Sequence, residues 1–309
     1  MKRGRRPARS LLDSAIMALY QDSGRPVVER LGPRDVPEVL SFLEDEPILN
    51  VYLIALVLRD ALARPLDAWW AARRHGRLCA LVFVGPQSGA VLPAGDDDEA
   101  HLEIGRAMAA ATNPWPERLQ IIGPRPAVSA LTRHFPGPRW RSRLDRDQAY
   151  MALTADAIVR GETRTDLREA RVEDYAFLYQ SGADLRLEEL LEDPREIDPI
   201  AYARRVQEEC RDGWTWVLRD ANGLSFRAGL SALTSQAAQI SGVWVPPAQR
   251  GRGLATRAMR ELCGRLLTSS RQVCLFANES NEPALALYRR LGFRRIADWA
   301  SSFRVLDPD

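Results

Sequence analysis

The stretch GVWVPPAQRGRGLATRAM, Gly242 to Met259, does most to narrow the folds open to this chain. An apolar segment passes through two prolines into a loop with Arg250, Gly251, Arg252 and Gly253, and the loop opens directly onto a helix. Leu254, Ala258, Leu262 and Leu266, with Met259 and Cys263 beside them, recur on one face of that helix, while Arg257, Arg260, Glu261 and Arg265 take the other. An apolar helix face must be covered, and the strand-turn-helix order makes its cover a sheet. The spacing predicts an α/β fold.

A glycine-rich turn at a helix start leaves several backbone N–H groups without partners inside the helix. Together with the positive end of the helix dipole these donors suit a phosphate, and glycine lets a ligand approach the main chain. A turn with no ligand is the plain alternative. Two nucleotide loops are excluded: no Lys follows the glycines as a P-loop requires, and Thr256 stands where a dinucleotide turn needs a third small residue, with no acid about twenty residues on to grip a ribose.

The rest of the second half reads in the same style. A strand is expected at Asp166 to Ala170, helical material through Leu191, and a helix over Pro199 to Arg211. The strand WTWVLRD, a turn at Ala221 to Gly223 and a return strand to Leu233 follow, and then a strand from Ala238 to Val245. Beyond the loop helix come a strand at Val273 to Ala277, a helix from Glu282 to Leu291 and a closing strand near Phe293. The first half repeats the opening: VVERLGPRDVPEVLSFL from Val27 parallels DLREARVEDYAFLYQSG from Asp166, each a short strand before an aspartate, Asp35 or Asp174, at a helix start. With 309 residues and this spacing, two domains of common origin are expected, 1–160 and 161–309, divided in the polar stretch Thr154 to Asp166.

Composition excludes several classes. Basic and acidic residues nearly cancel, 43 against 41, so the chain is not built to coat nucleic acid; five of the basic residues form an N-terminal tail, Lys2, Arg3, Arg5, Arg6 and Arg9, read as a frayed terminus. No apolar run is long enough to span a membrane and no secretory leader is evident. Cys79, Cys210, Cys263 and Cys274 and the three histidines are scattered, so neither a disulfide framework nor a metal site is expected, and the reading is cytoplasmic.

Joined to NEPALALYRRLGF, Asn281 to Phe293, the loop resembles the GCN5-related N-acetyltransferase superfamily, whose R-x-x-G-x-G/A motif falls on Arg250, Gly253 and Ala255. The resemblance covers about residues 165 to 305. The first half, with EDEPILNVYLIA, LQIIGPRPAVSAL and RDQAYMAL, is similar to an uncharacterised N-terminal domain that precedes this one in a bacterial family. The fold implied is a tandem of such domains, each a mixed, mostly antiparallel sheet flanked by helices, with a splayed strand pair for coenzyme in the second.

The resemblance implies acetyl-coenzyme A as cosubstrate, its pyrophosphate on the amides of Gly251, Arg252, Gly253, Leu254, Ala255 and Thr256 beside Arg250, and its pantetheine arm along Val243, Trp244 and Val245. Asn281 would touch the coenzyme besides capping its helix, and the Tyr288 hydroxyl would protonate the leaving thiolate. The acceptor would be an amine, on a small molecule or a protein, attacking the thioester directly without a metal. Many relatives carry a Glu base on the strand before the loop, where this chain has Gln239; Glu188 and Glu189, acting through water, and Glu279 are the candidates that remain, though solvated helix or loop charge is the favoured reading of each. The acidic segment DLRLEELLEDPREID fits either a cation-selecting entrance or a solvated face.

In the first half the loop position reads DDDEA, Asp96 to Ala100, which would cap a helix and repel a pyrophosphate, and neither the Asn nor the Tyr of the second motif is present. That half is expected to be a degenerate copy that binds no coenzyme, with Trp69 and Trp70 in its core. A non-catalytic acyl-coenzyme sensor is the alternative function, and nucleic-acid contact through the tail a distant third. Oligomeric state is not legible.

Overall fold

The computed structural model describes residues 24–111, 115–163, 165–220 and 223–307; the basic tail and the Ala221–Asn222 turn expected above lie outside the described residues. The strands, numbered along the chain, are β1 (Val27–Leu31), β2 (Ala68–Arg74), β3 (Arg77–Gly85), β4 (Ala90–Ala94), β5 (Arg118–Pro124), β6 (Trp140–Thr154), β7 (Arg168–Glu169), β8 (Thr215–Asp220), β9 (Gly223–Leu233), β10 (Ala237–Trp244), β11 (Gln272–Asn278) and β12 (Arg294–Leu306). The helices are α1 (Val36–Glu44), α2 (Val51–Val57), α3 (Asp98–Ala110), α4 (Arg125–Thr132), α5 (Tyr175–Leu190), α6 (Pro194–Ile197), α7 (Pro199–Asp212), α8 (Leu254–Leu266) and α9 (Glu282–Leu291).

Two compact units emerge, and neither is a continuous stretch. One holds the chain through Leu43, Asp60–Asp145 and everything from Ala300; the other holds Glu44–Arg59 and Arg146–Trp299. In the first, strands run in the order β1-β2-β3-β4-β5, antiparallel except for the parallel pair β4 and β5. Trp70, Val82, Ile104, Met108, Ile121 and Leu131 pack between this sheet and helices α3 and α4. Trp69 and Trp70 are both buried, as core residues should be.

The second unit carries the order β6-β11-β10-β9-β8-β7, again antiparallel but for the parallel pair β10 and β11. The contribution of β6 is intimate. Its residues Gln148 to Thr154 face Asn278 to Gln272 one for one along β11. Alternate side chains of a strand point to opposite faces, so Ala149, Met151 and Leu153 enter the core beneath α8 and α9, where they meet Met259, Leu262, Leu275 and Leu291. Tyr150 takes the other face, stacking with Phe276, packing at a tilt against Trp299 and donating to the carbonyl of Ile48 at 2.8 Å. On that face α2 covers β9 and β10, while Leu178, Tyr202 and Val206 of α5 and α7 pack against Val217, Leu224 and Trp244.

The repeated opening seen in the sequence has a structural counterpart. Asp35 accepts from the Gly32 amide at 2.8 Å, and Asp174 accepts from the Arg171 amide at 2.9 Å, so each closes a short turn before its helix. Asp174 is fully buried and also takes Arg168 Nη1 at 2.7 Å and Arg219 Nη1 at 3.1 Å. No helix among the described residues is long and apolar enough to cross a membrane.

Candidate coenzyme site

The site begins where two parallel strands part. β10 and β11 pair only at Ala237↔Gln272, Ala238↔Val273 and Gln239↔Cys274. From Ile240 onward β10 has β9 on one side and no strand on the other. Its bond to β9 is interrupted as well: bulges fall after Gln239 and between Ser241 and Trp244, with Gly242 at φ +59. The backbone of Val243 therefore lies outside the ladders on both sides, leaving its polar groups for a partner running alongside, while Trp244 and Val245 bury their side chains.

At the end of β10 the chain turns through Pro246 to Arg250 into the glycines. Gly251 stands at φ +77 and Gly253 at φ +74, the left-handed region that side chains disfavour. No atom would lie within 4 Å of a Cβ on Gly251, so the turn is open above its backbone. Gly253 is the N-cap of α8 and, being glycine, offers no capping side chain. Arg257 is the first to donate inside the helix, to the Gly253 carbonyl at 3.2 Å; the amides from Gly251 to Thr256 have no acceptor among the described residues. The first turn of α8 carries no acid, and Arg252 and Arg257 have no carboxylate partner among the described residues. Unpartnered amides, an uncompensated dipole and two unpaired cations converge on one open turn.

Arg250 does not share this freedom. Its Nε donates to the Val245 carbonyl at 2.9 Å, and its Nη2 donates to both oxygens of Glu188, at 2.9 and 2.8 Å. The indole Nε1 of Trp244 donates to the same carboxylate at 3.4 Å. Glu188 is thus engaged with the loop.

Its neighbour Glu189, at the end of α5, is exposed. Partial desolvation by the protein atoms around it raises its pKa, with the Glu188 charge adding and Arg146 opposing. Tyr288 on α9 is buried against Phe293, with no hydrogen-bond partner for its hydroxyl among the described residues. Burial raises its pKa, and the charge of Glu189 raises it further. Asn281 caps α9, accepting from the Ala284 amide at 3.2 Å, and its residue is exposed. Gln239 is buried at the last position where β10 pairs with β11, and Glu279 is bound by Arg295 at 2.6 Å. In the acidic segment, Asp193 and Asp198 cap α6 and α7, which accounts for part of its charge.

The equivalent place in the first unit is built differently. β4 and β5 pair at Ala90↔Gln120 and Val91↔Ile121. Beyond that point Pro93 fills the gap: a Cβ on Gly123 would lie 2.7 Å from its Cγ. The following helix, α3, is capped by Asp97, which accepts from Ala100 N at 3.0 Å and holds Arg74 at 2.9 Å, with Asp98 and Glu99 in the first turn. The protein's own carboxylate sits where an anion would.

Two contributors escaped the sequence reading. Arg257 lies one turn into α8 from Gly253, where helical spacing from the loop would have found it. Arg146 belongs to β6, and nothing local in the sequence connects it with Glu189.

Residues 227–303 match the family model described as FR47-like protein. No curated protein matches the chain. Among solved structures it is similar to an acetyltransferase from the GNAT family of Colwellia psychrerythraea, at 10% identity and TM-score 0.55 over 90% of this chain and 99% of that one. It is also similar to a GCN5-related N-acetyltransferase from Sphaerobacter thermophilus, at 18% identity and TM-score 0.53 over 92% and 96%. A tandem GNAT protein from the clavulanic acid biosynthesis pathway aligns at 16% identity and TM-score 0.54 over 92% and 100%. With its splayed strands and glycine turn, the chain shares the fold of these acetyltransferase structures, and residues 227–303 carry the FR47-like match.

Proposed function

We propose that the chain is an acetyl-coenzyme A-dependent N-acetyltransferase acting on an amine of a small molecule or a protein. The observation that carries this reading is the uncapped start of α8, open above Gly251, at the end of a strand that has left β11 and bulges away from β9 around Val243. Acetyl-coenzyme A supplies an acyl thioester. The amides of Gly251 to Thr256, with Arg252 and Arg257, hold a pyrophosphate; the backbone around Val243 accepts the amide-bearing arm; Asn281 offers its side-chain N–H groups.

Glu189 takes a proton from the acceptor. The need is real for a lysine-like amine, with a pKa about 10.4, since about one molecule in a few thousand is neutral at pH 7. A carboxyl with a raised pKa is a better proton acceptor than an ordinary glutamate. Tyr288, kept protonated by its burial, gives its proton to the departing thiolate. The first unit is a degenerate copy whose slot is filled by Pro93 and whose helix start is satisfied by Asp97, and it serves as a structural partner.

The rival reading is a sensor that binds the coenzyme without turnover, favoured by Gln239 at the strand position where many relatives carry their base. Calorimetric titration with acetyl-coenzyme A, followed by mass spectrometry of an amine and peptide panel, separates the two. Saturable binding with acetylated product supports the transferase, binding without product supports the sensor, and no binding sinks both.

A further inference from the structure

Arg250, Trp244 and Glu188 come from the opening of the glycine loop, the end of the splayed strand and the last turn of α5. One carboxylate joins all three, through the two Arg250 contacts at 2.8 and 2.9 Å and the indole at 3.4 Å. The loop needs such an anchor. Gly251 to Gly253 are exposed and carry only one side chain between them, that of Arg252, which has no carboxylate partner among the described residues. The guanidinium is itself pinned underneath by the Val245 carbonyl, so Glu188 meets a rigid fork.

Glu189 is the next residue on the same helix. Successive residues lie about 100° apart around a helix axis, so Glu188 is turned to the loop while Glu189 projects in a different direction from the same turn of helix. The two cannot move independently.

We infer that Glu188 is a positioning residue, which ties the pyrophosphate loop to the turn of helix that carries the general base. The inference rests on the functional reading above. Its consequence is that donor affinity and base placement share one contact. The pair is half-exposed, 47% for Arg250 and 41% for Glu188, so its effect is modest and sensitive to salt.

The test uses the full chain and acetyl-coenzyme A. Glu188→Gln should raise the coenzyme Kd about threefold. It should also move the acidic limb of the kcat–pH profile to lower pH, because the groups facing Glu189 are Glu188, Arg146 and Tyr288, and the substitution removes the like charge among them. Glu188→Asp, which keeps the charge, should recover part of the affinity and the original acidic limb. An unchanged Kd and an unchanged acidic limb in Glu188→Gln would overturn the inference. So would a loss that tracks melting temperature alone and is not recovered in part by Glu188→Asp.

If the wild-type chain fails to bind acetyl-coenzyme A, the functional reading falls. The anchor is then judged by amide hydrogen exchange at Gly251 to Thr256. Faster exchange in Glu188→Gln upholds it, and equal rates overturn it.

Discussion

A chain cut at the polar stretch, giving 161–309, should not fold by itself. The second unit would lose Arg146 to Thr154, a strand that pairs with β11 at seven consecutive positions. Tyr150, Met151 and Leu153 are all at or below 2% exposure, and burying a large apolar side chain is worth about 1.5–3 kcal/mol. The three together contribute roughly 5–9 kcal/mol by that measure, against a total stability of about 5–15 kcal/mol for an ordinary domain. Glu44–Arg59, with its cover over β9 and β10, is lost as well, and β11 becomes a bare edge open to aggregation. Urea unfolding followed by circular dichroism on the full chain, on 161–309, and on 161–309 co-expressed with 1–160 reads the outcome. The fragment should lack a cooperative transition, and co-expression should restore one. A fragment that unfolds cooperatively at the midpoint of the intact chain would show that the exchanged strand is dispensable.

Gly253→Ala places a side chain at φ +74, a cost of about 1–2 kcal/mol, with no clash because the new Cβ would lie 3.7 Å from Arg257 Nη1. Coenzyme affinity should fall about tenfold in a binding titration, whereas Gly264→Ala, exposed within α8, should raise the melting temperature and leave affinity alone. If Glu189 is the base proposed above, Glu189→Gln should abolish the acidic limb of the kcat–pH profile: partial desolvation first, then Glu188, raises the carboxyl pKa, and a base works only when ionised, so activity falls as pH drops through that raised pKa. Because a carboxylate with a raised pKa weakens the fold once ionised, the same variant should melt no lower than wild type at pH 7. Asp174→Asn should cost about 2–3 kcal/mol in urea at pH 7. Burial pushes the Asp174 pKa up, but Arg168, the Arg171 amide and Arg219 together bring it below the usual range, so its stabilisation is present above the unfolded pKa of about 3.9 and is lost as pH falls through the lower folded value; the gap to the variant should close there.

Helix α9 was legible to the residue, because Asn281, Pro283 and Gly292 punctuate a clean apolar period. The strand β12 was not: a short closing strand near Phe293 is expected, and thirteen residues from Arg294 to Leu306 are found, since strand length depends on distant neighbours that leave no local trace. Likewise β7 shrinks to Arg168 and Glu169, where only those residues find partners on β8.

The sequence by itself determined the α/β layering, the apolar face of α8 and the glycine turn. Each follows from residues within a few positions of one another, where backbone sterics and helical periodicity act. Tertiary structure alone decided that Glu44–Arg59 and Arg146–Thr154 complete the second unit, because an alternating pattern specifies a strand and its buried face but not the strand beside it. It alone separated Glu188 from Glu189. Adjacent on one helix, they carry the same charge and differ only in direction, and the partners each direction meets, Arg250 for one and the surroundings of Tyr288 for the other, come from parts of the chain far away in sequence.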